Sequence, residues 1–478
     1  METERKILFN TFALTVGHGI AQLANLAFVI YFARVFGADK LGEYSFAMAI
    51  GGLVSIFTSF GTISLAVKQI TQAPITEQKL LGALMPMLGV AGILVIVTTI
   101  VLGQFLDISS EAYAMLVTIG IYHVALNWTS LIGTRYHARE LMAYVAGVDA
   151  IQNILRLLFG VSLIWLFKEP IVAIGAFPVC AIAALTWLFV AAAGRFGSIS
   201  FSVNVGTAKT LIVQAWPYFS LVLLNVLYAR LGIVYLTIMK PEAAVGYFAS
   251  AERLVVAAGL LHSMFLGAVL PSMTRLAAHN PKATENLAAR SLRLLLIVTL
   301  PAATLLHLLS NDIIRQLYGA GFEPSVIVLE IVSWSLVLRG LCGYFSVLAI
   351  ANDLQKELSK IRLVSLIVLV ALAVPLVYMM SYVGLAYAMV GADTFLATMM
   401  YFQLRHKVTG IRLVNAMWRT GLACGSLFLV QVLFAEQSTV IRFTALPAIL
   451  LATLVLVGAV RSQDLKYLRR IAASRPGD

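Results

Sequence analysis

The sequence contains about fourteen separate runs of roughly 20 predominantly apolar residues, and each run is long enough to cross a bilayer as a helix. A closed barrel is excluded because the runs are continuously apolar and do not alternate between apolar and polar residues. The sequence therefore predicts an all-α polytopic membrane protein. The runs lie near residues 7–33, 41–67, 80–103, 111–133, 141–167, 171–193, 210–239, 246–271, 288–310, 326–351, 361–381, 384–404, 413–434 and 441–460.

The composition excludes the main soluble classes. Of the residues, 60% are hydrophobic and 12% are charged, whereas soluble domains carry about 25% charged residues. An ordinary globular enzyme, a disordered chain and a basic nucleic-acid binder do not fit this balance. Cys180, Cys342 and Cys424 each lie inside an apolar stretch, so no disulfide framework is expected. The first run has no small-residue cleavage site, and we expect it to be a membrane span instead of a signal peptide.

The distribution of basic residues predicts the orientation in the membrane. Of the 34 Lys and Arg residues, 23 fall in loops on one side, six on the other and five within spans. Cytoplasmic loops carry the excess of Lys and Arg. Both termini are therefore predicted to be cytoplasmic, in a cytoplasmic (inner or plasma) membrane, and the net charge of +12 mostly reflects this topology.

A short motif recurs about 204 residues apart and indicates an internal duplication. Gly42-Glu43-Tyr44-Ser45-Phe46-Ala47 opens the second run, and Gly246-Tyr247-Phe248-Ala249-Ser250-Ala251 opens the eighth. Six runs separate the copies, which predicts a parallel repeat; chance recurrence in a Gly- and Ala-rich chain is the alternative. We expect an N-terminal lobe of six spans over 1–206, a C-terminal lobe of six spans over 207–410, and two extra helices with a basic tail over 411–478.

Charged residues inside the spans are the main candidates for function. At a helix centre each costs on the order of 2.5–3.5 kcal/mol on insertion scales, and such residues usually face a cavity or the bundle interior. Eight charged residues lie well inside the spans, four basic and four acidic, so structural ion pairing, for instance between Arg339 and Asp393, is the alternative. The eight residues are Asp149, Arg156, Arg230, Glu252, Arg253, Glu330, Arg339 and Asp393.

Polar residues line one face of the fifth span and recur along the first and seventh spans. On the fifth span Asp149, Gln152, Asn153 and Arg156 fall at i, i+3, i+4 and i+7, which places them on one helical face. This pattern predicts a cavity lining, with a structural pair and hydrogen bonds between helices as the alternatives. The first span adds Thr11, Thr15, His18, Gln22 and Asn25, which also share one face. The seventh span adds Gln214, Tyr218, Asn225 and Tyr228.

No catalytic constellation is present in the sequence. There is no HExxH, no CxxC and no phosphate-binding loop, and Ser, His and Asp are not grouped as a triad requires. We therefore expect no enzyme activity, no cofactor and no metal. Without an ATP-binding motif, active transport would run either on a gradient, such as one of H+ or Na+, or on the downhill flow of the substrate itself.

Three segments resemble polysaccharide-biosynthesis flippases, the oligosaccharide-exporting part of the multidrug/oligosaccharidyl-lipid/polysaccharide transporter superfamily. They are the opening Tyr31-Phe32-Ala33-Arg34-Val35-Phe36-Gly37-Ala38 with Leu41-Gly42-Glu43-Tyr44, then Tyr136-His137-Ala138-Arg139-Glu140-Leu141-Met142, and Gly246 to Leu254. The resemblance implies two six-helix lobes around a cationic cavity. It also implies a substrate that consists of a sugar chain on a polyprenyl pyrophosphate.

That substrate matches the polar residues of the spans. Guanidinium groups bind phosphate oxygens bidentately, so pyrophosphate binding is predicted for Arg34, Arg156, Arg230, Arg253 and Arg339. Sugar contacts are predicted for His18, Gln22, Asn25, Gln152, Asn153, Asn225 and Tyr228. Asp149, Glu252 and Asp393 are candidates for ion coupling or for pairing. Expected partners are the membrane lipid, the lipid-linked glycan and glycan-assembly proteins, with no nucleic acid and a monomeric chain.

Two other functions compete with a flippase. An ion-coupled multidrug or metabolite antiporter of the same superfamily would need an acid-dominated cavity, whereas the charges here balance. A membrane glycosyltransferase or polymerase would need a large outer loop, and the longest outer loops, 104–110 and 311–325, are short.

Overall fold

The computed structural model describes residues 2–72, 77–106, 108–199, 205–279, 281–352, 354–405, 413–434 and 437–459. Over these ranges the chain is almost entirely α-helical and contains no β-strand. The all-α fold class is confirmed.

Sixteen α-helices follow one another in the described ranges. The first eight are α1 (Glu2–Ser59), α2 (Thr62–Gln72), α3 (Glu77–Phe105), α4 (Ser110–His137), α5 (Met142–Phe167), α6 (Pro170–Phe196), α7 (Val205–Met239) and α8 (Glu242–Ala258). The others are α9 (Leu260–His279), α10 (Pro281–Leu308), α11 (Ser310–Leu317), α12 (Ser325–Val332), α13 (Ser335–Ala351), α14 (Gln355–Arg405), α15 (Leu413–Phe434) and α16 (Thr439–Leu456), with a 3-10 turn at Ala320–Phe322.

These helices provide fourteen membrane spans within the described part of the chain, as the sequence predicted. Twelve helical stretches are long and apolar enough to cross a bilayer. Two of the twelve, Leu14–Ser59 and Glu357–Arg405, contain two spans each, because the backbone turns at Gly37 (φ 82°) and at Ser381 (φ 55°). Gly37 tolerates this left-handed conformation at no steric cost.

Three of the predicted spans are interrupted in the described chain: 41–67 between α1 and α2, 246–271 at Gly259 between α8 and α9, and 326–351 at Ser333 and Trp334 between α12 and α13. The apolar run 41–67 was expected to be a continuous helix, but Phe60 (φ 45°) and Gly61 (φ 72°) separate α1 from α2. The Phe60 ring stacks on Phe219 of α7 at a centroid distance of 4.0 Å, and Gly61 lies against the Phe219 backbone. A tertiary contact therefore stabilises a break that apolar periodicity does not reveal.

Two sets of helices form compact units. The first covers residues 2–249, where α1 packs on α4, α5 and α7, and α6 packs on α4 and α5. Its centre contains Phe28, Phe32, Tyr44 and Phe177, which are in aromatic contact. The second covers residues 250–478, where α13 packs on α9, α10 and α14, and α15 packs on α10 and α16. The lobe boundaries at 206 and 410 stay a prediction.

The two copies of the repeated motif meet in a symmetric helix crossing inside the first unit. A Cβ on Gly42 would overlap the carbonyl group of Glu242, and a Cβ on Gly246 would overlap the carbonyl group of Ala38. Each glycine therefore contacts the residue four positions before the other glycine, as in a two-fold contact between identical surfaces. Glycine is required here because only a residue without a side chain permits this approach.

Candidate functional site

Arg156 is the centre of a buried polar cluster in the first unit. Its side chain is 3% exposed, although it lies near the middle of α5. It donates hydrogen bonds to Tyr122 Oη at 2.7 Å, Asn25 Oδ1 at 2.9 Å and Asn153 Oδ1 at 2.6 Å. The guanidinium also lies over the Phe177 ring, 4.4 Å from its centroid. All three hydrogen-bond acceptors are neutral, so these bonds orient the charge without neutralising it.

A chain of hydrogen bonds connects this guanidinium to the first helix. Asn153 Nδ2 donates to Asp149 Oδ1 at 3.1 Å, and Asp149 Oδ2 lies 3.4 Å from His18 Nδ1. His18 is on α1 and its side chain is 64% exposed. The predicted face of α5 therefore acts as one connected set, in which Asn153 bridges Asp149 and Arg156.

The other predicted residues of this unit occupy mixed environments. Gln152 is buried, Gln22 and Tyr228 are half-buried, and Asn225 and Arg34 are exposed. Arg34 lies nine residues after Asn25 on α1, which corresponds to about 13 Å along the helix axis. Arg34 is thus offset along α1 from the Arg156 cluster.

Arg230 lies beside a histidine that the sequence interpretation did not select. Both side chains lie next to Gly52, because a Cβ built on Gly52 would be 3.9 Å from His123 Nε2 and 4.0 Å from Arg230 Nε. His123 directly follows Tyr122, the residue bound to Arg156. The signal that could have identified this pair is two adjacent polar residues in the middle of an apolar run, with Asn127 one turn later.

A second charged cluster lies in the second unit. Arg339 Nε contacts Asp393 Oδ2 at 3.2 Å, and Arg339 Nη2 lies 3.7 Å from Glu252 Oε1. The expected pair between Arg339 and Asp393 is thus formed. One guanidinium therefore faces two carboxylates in this cluster.

Arg253 is the other predicted cation of this unit. It is half-buried on α8 near Tyr318, a residue between α11 and the 3-10 turn. Burial raises the pKa of the Tyr318 phenol, and the nearby Arg253 guanidinium offsets part of that rise. The phenol therefore keeps its proton and donates a hydrogen bond to the Ser250 carbonyl at 3.1 Å.

Three further ion pairs join helix ends and were not anticipated. Arg135 and Arg139, which we had counted as loop charges, both bind the buried carboxylate of Glu77 at the start of α3. Arg442, also counted as a loop charge, contacts Asp312 of α11 at 2.9 Å and attaches the start of α16 to it. These pairs stabilise the fold and do not contact the Arg156 cluster.

Comparison with known proteins agrees with this architecture. A family model described as polysaccharide biosynthesis protein matches residues 7–277. The lipid II flippase MurJ in an inward closed conformation superposes with a TM-score of 0.81 at 14% identity, over 95% of this chain and 99% of that chain. An inward-facing multidrug resistance MATE transporter of the MOP superfamily gives 0.64 at 12% identity, over 81% and 94%. No curated protein sequence matches.

The fold defines a multi-pass helical membrane protein with the architecture of MurJ and of MATE transporters. At these identities the likeness concerns the fold alone. The family model covers more than half of the 478 residues. The chain therefore belongs to the polysaccharide biosynthesis protein family.

Proposed function

We propose that the protein is a flippase that moves an oligosaccharide, linked to polyprenyl pyrophosphate, from the cytoplasmic to the outer leaflet by alternating access. The observation that carries this proposal is the buried Arg156 guanidinium, whose hydrogen-bond partners Asn25, Tyr122 and Asn153 are all neutral. Family membership and the transporter fold support it. A buried charge whose direct contacts are all neutral is costly, and an anionic substrate would compensate for it.

The clusters suit the two chemical parts of such a substrate. Pyrophosphate oxygens accept paired hydrogen bonds from guanidinium groups, which Arg156, Arg230 and Arg253 offer; Arg34 and Arg339 complete the proposed set. Amide and hydroxyl groups from His18, Gln22, Asn25, Gln152, Asn153, Asn225 and Tyr228 suit sugar hydroxyls. The polyprenyl chain would stay in the lipid.

The membrane context completes the proposal. The flippase resides in a cytoplasmic membrane with both termini on the cytoplasmic side, and it acts as a monomer beside glycan-assembly proteins. Its ion coupling involves Asp149, Glu252 or Asp393. The multidrug antiporter is not favoured, because its cationic substrates would be repelled by Arg156.

Removing the buried guanidinium is expected to stop glycan export. Arg156→Ala and Arg253→Ala should each abolish export with the protein still present in the membrane, because each removes a charged hydrogen-bond donor to phosphate. Such bonds contribute about 1.5–3 kcal/mol each, or roughly 10- to 150-fold. Arg156→Lys should also lose export, since an ammonium cannot bind bidentately. Surface glycan and membrane-protein abundance are measured in a deletion strain.

Arg315→Ala provides the matched control. Arg315 pairs with Glu323 at 3.2 Å, and both side chains are more than half exposed. Glycan export by the Arg315→Ala variant should equal that of the wild type. Wild-type export by both Arg156→Ala and Arg253→Ala would remove the phosphate site, and drug sensitivity of the deletion strain without a glycan defect would favour the antiporter.

Ion coupling is tested through the Arg339–Asp393 cluster of the second unit. Asp393 is 1% exposed and paired with Arg339, so Asp393→Asn removes a buried charge with little change in shape. If Asp393 carries the coupling ion, export by this variant becomes insensitive to ionophores that collapse H+ or Na+ gradients, while wild-type export declines. Equal ionophore sensitivity of both proteins would exclude Asp393.

A further inference from the structure

His123 lies in the apolar interior of the first unit between two arginines. It is thirteen residues from the start of α4 at Ser110, or about 20 Å along the helix axis, close to the middle of this helix. Tyr122, its neighbour, binds Arg156 Nη1 at 2.7 Å. On the other side, Arg230 Nε and His123 Nε2 border the same position at Gly52, each about one van der Waals contact from a Cβ placed there.

Two polar atoms in this neighbourhood lack a partner. His123 Nε2 and Arg156 Nε are both buried and make no hydrogen bond within the described part of the chain. Buried polar groups almost always have a partner, and an unsatisfied one costs about 1–3 kcal/mol. Arg156 and Arg230 are both close enough to act electrostatically on His123, so the two unpartnered atoms belong to one polar region that a ligand could satisfy.

The backbone around His123 is held in place by its own contacts. Asn127 Nδ2 donates to the His123 carbonyl at 3.0 Å and to the Ser55 carbonyl at 3.3 Å, which joins α4 to the second span of α1. Gly52, one turn before Ser55, has no side chain and leaves the space beside the imidazole open. The backbone at His123 is therefore held in place, and the absence of a side chain at Gly52 leaves the imidazole uncovered on that side.

We propose that His123 Nε2 and Arg230, together with Arg156, bind one phosphate-type anion, and that Gly52 leaves room for it. Two guanidinium groups and an imidazole N–H, with only neutral acceptors on Arg156, favour a multivalent oxyanion such as pyrophosphate. The inference rests on the proposed function, in which the anion is the pyrophosphate of the carrier lipid. It adds His123 as a direct ligand and Gly52 as the residue that admits the anion.

The test uses the full-length purified protein with inorganic pyrophosphate as the probe, measured by calorimetry in detergent. His123→Leu should weaken pyrophosphate binding at least about 10-fold, because it removes a hydrogen bond to a charged group. His123→Gln should retain much of the affinity, since its amide still donates. Gly52→Ala should also weaken binding, because its methyl group occupies the space beside His123 Nε2 without a clash against the protein.

His307→Leu is the matched control. His307 is also a half-buried histidine of a span, but it belongs to the second unit and its Nδ1 contacts the Glu330 carbonyl at 2.9 Å. Pyrophosphate affinity of this variant should equal that of the wild type. Wild-type affinity in both His123→Leu and Gly52→Ala would overturn the site, and so would a wild-type protein that does not bind pyrophosphate.

Glycan export in cells separates the site from the proposed function. Loss of pyrophosphate binding together with loss of export supports both. Loss of binding in His123→Leu with normal glycan export would leave the anion site standing and would exclude the carrier pyrophosphate as its ligand. If His123→Leu does not accumulate in the membrane, the Gly52→Ala result decides the question.

Discussion

Replacing Glu77 with alanine is expected to destabilise the protein by about 3–5 kcal/mol, because it leaves a buried guanidinium without its counter-charge. Arg135 is 1% exposed, and its Nε contacts Glu77 Oε1 at 2.5 Å. Arg139 contacts the other oxygen of the same carboxylate. Glu77, itself 5% exposed, thus serves two arginines at once.

Arg135 contacts residues at the ends of two other helices and so connects three helix ends. Arg135 donates from Nη2 to the Phe196 carbonyl at 2.9 Å and from Nη1 to the Gly197 carbonyl at 3.0 Å, at the end of α6. Arg139 lies over the Phe196 ring, 4.4 Å from its centroid. Loss of the Glu77 carboxylate would therefore loosen the junction of α3, α4 and α6, not a single pair.

Thermal unfolding of the purified protein in detergent measures this effect, with Glu111→Ala as the control. Glu111 pairs with Lys40 at 2.6 Å, but both side chains are close to 30% exposed, and such pairs contribute about 0–1 kcal/mol. The unfolding temperature of Glu77→Gln should lie between those of Glu77→Ala and Glu111→Ala, because glutamine keeps the shape of the side chain and loses its charge. Equal unfolding temperatures for Glu77→Ala and Glu111→Ala would contradict the assigned role.

The Glu77–Arg135 ion pair is a feature that could not be predicted from the sequence. Counting Lys and Arg by loop treats every loop cation as solvated, so Arg135 and Arg139 served only to predict orientation. Whether a cation at a helix end is buried depends on which other helix ends converge there, and Glu77 is 58 residues away from Arg135 in the sequence. No local pattern contains that information.

Features that depend on local spacing were predictable. The fourteen spans follow from hydropathy, and the face of Asp149, Asn153 and Arg156 follows from the helical repeat. Their partners on other helices were only partly predictable: His18 and Asn25 were selected as polar residues of the first span, whereas Tyr122 and His123 of α4 were missed. The break at Phe60 was also missed, because its support comes from Phe219 on a different helix.

The second large effect is expected at the glycine crossing of the repeated motif. Gly42→Ala and Gly246→Ala should each destabilise the protein by about 1–3 kcal/mol, because a methyl group at either position overlaps a backbone carbonyl group that cannot move aside as a side chain can. Helix propensity alone predicts the opposite sign, since alanine is about 1 kcal/mol more favourable than glycine inside a helix. A destabilising effect would therefore result from the close contact at the crossing, because helix propensity alone would make the alanine variants more stable.

Gly175→Ala is the control for that sign. Gly175 lies inside α6, where a Cβ would have no neighbour within 4 Å. The substitution should be neutral or stabilising. Thermal unfolding of the three single variants in detergent gives the comparison, and destabilisation by Gly175→Ala equal to that by Gly42→Ala would assign the loss to glycine replacement in general.

The reciprocal geometry makes a sharper prediction for the double variant. Because Gly42 contacts Glu242 and Gly246 contacts Ala38 across one crossing, the first methyl group already forces the two helices apart. The second methyl group then fits into space that the first has already created. The Gly42→Ala/Gly246→Ala protein should therefore be destabilised by less than the sum of the two single effects. Coupling energies between contacting residues are about 0.5–3 kcal/mol, whereas independent sites add within about 0.5 kcal/mol. Strict additivity would mean that the two copies of the motif do not share a crossing.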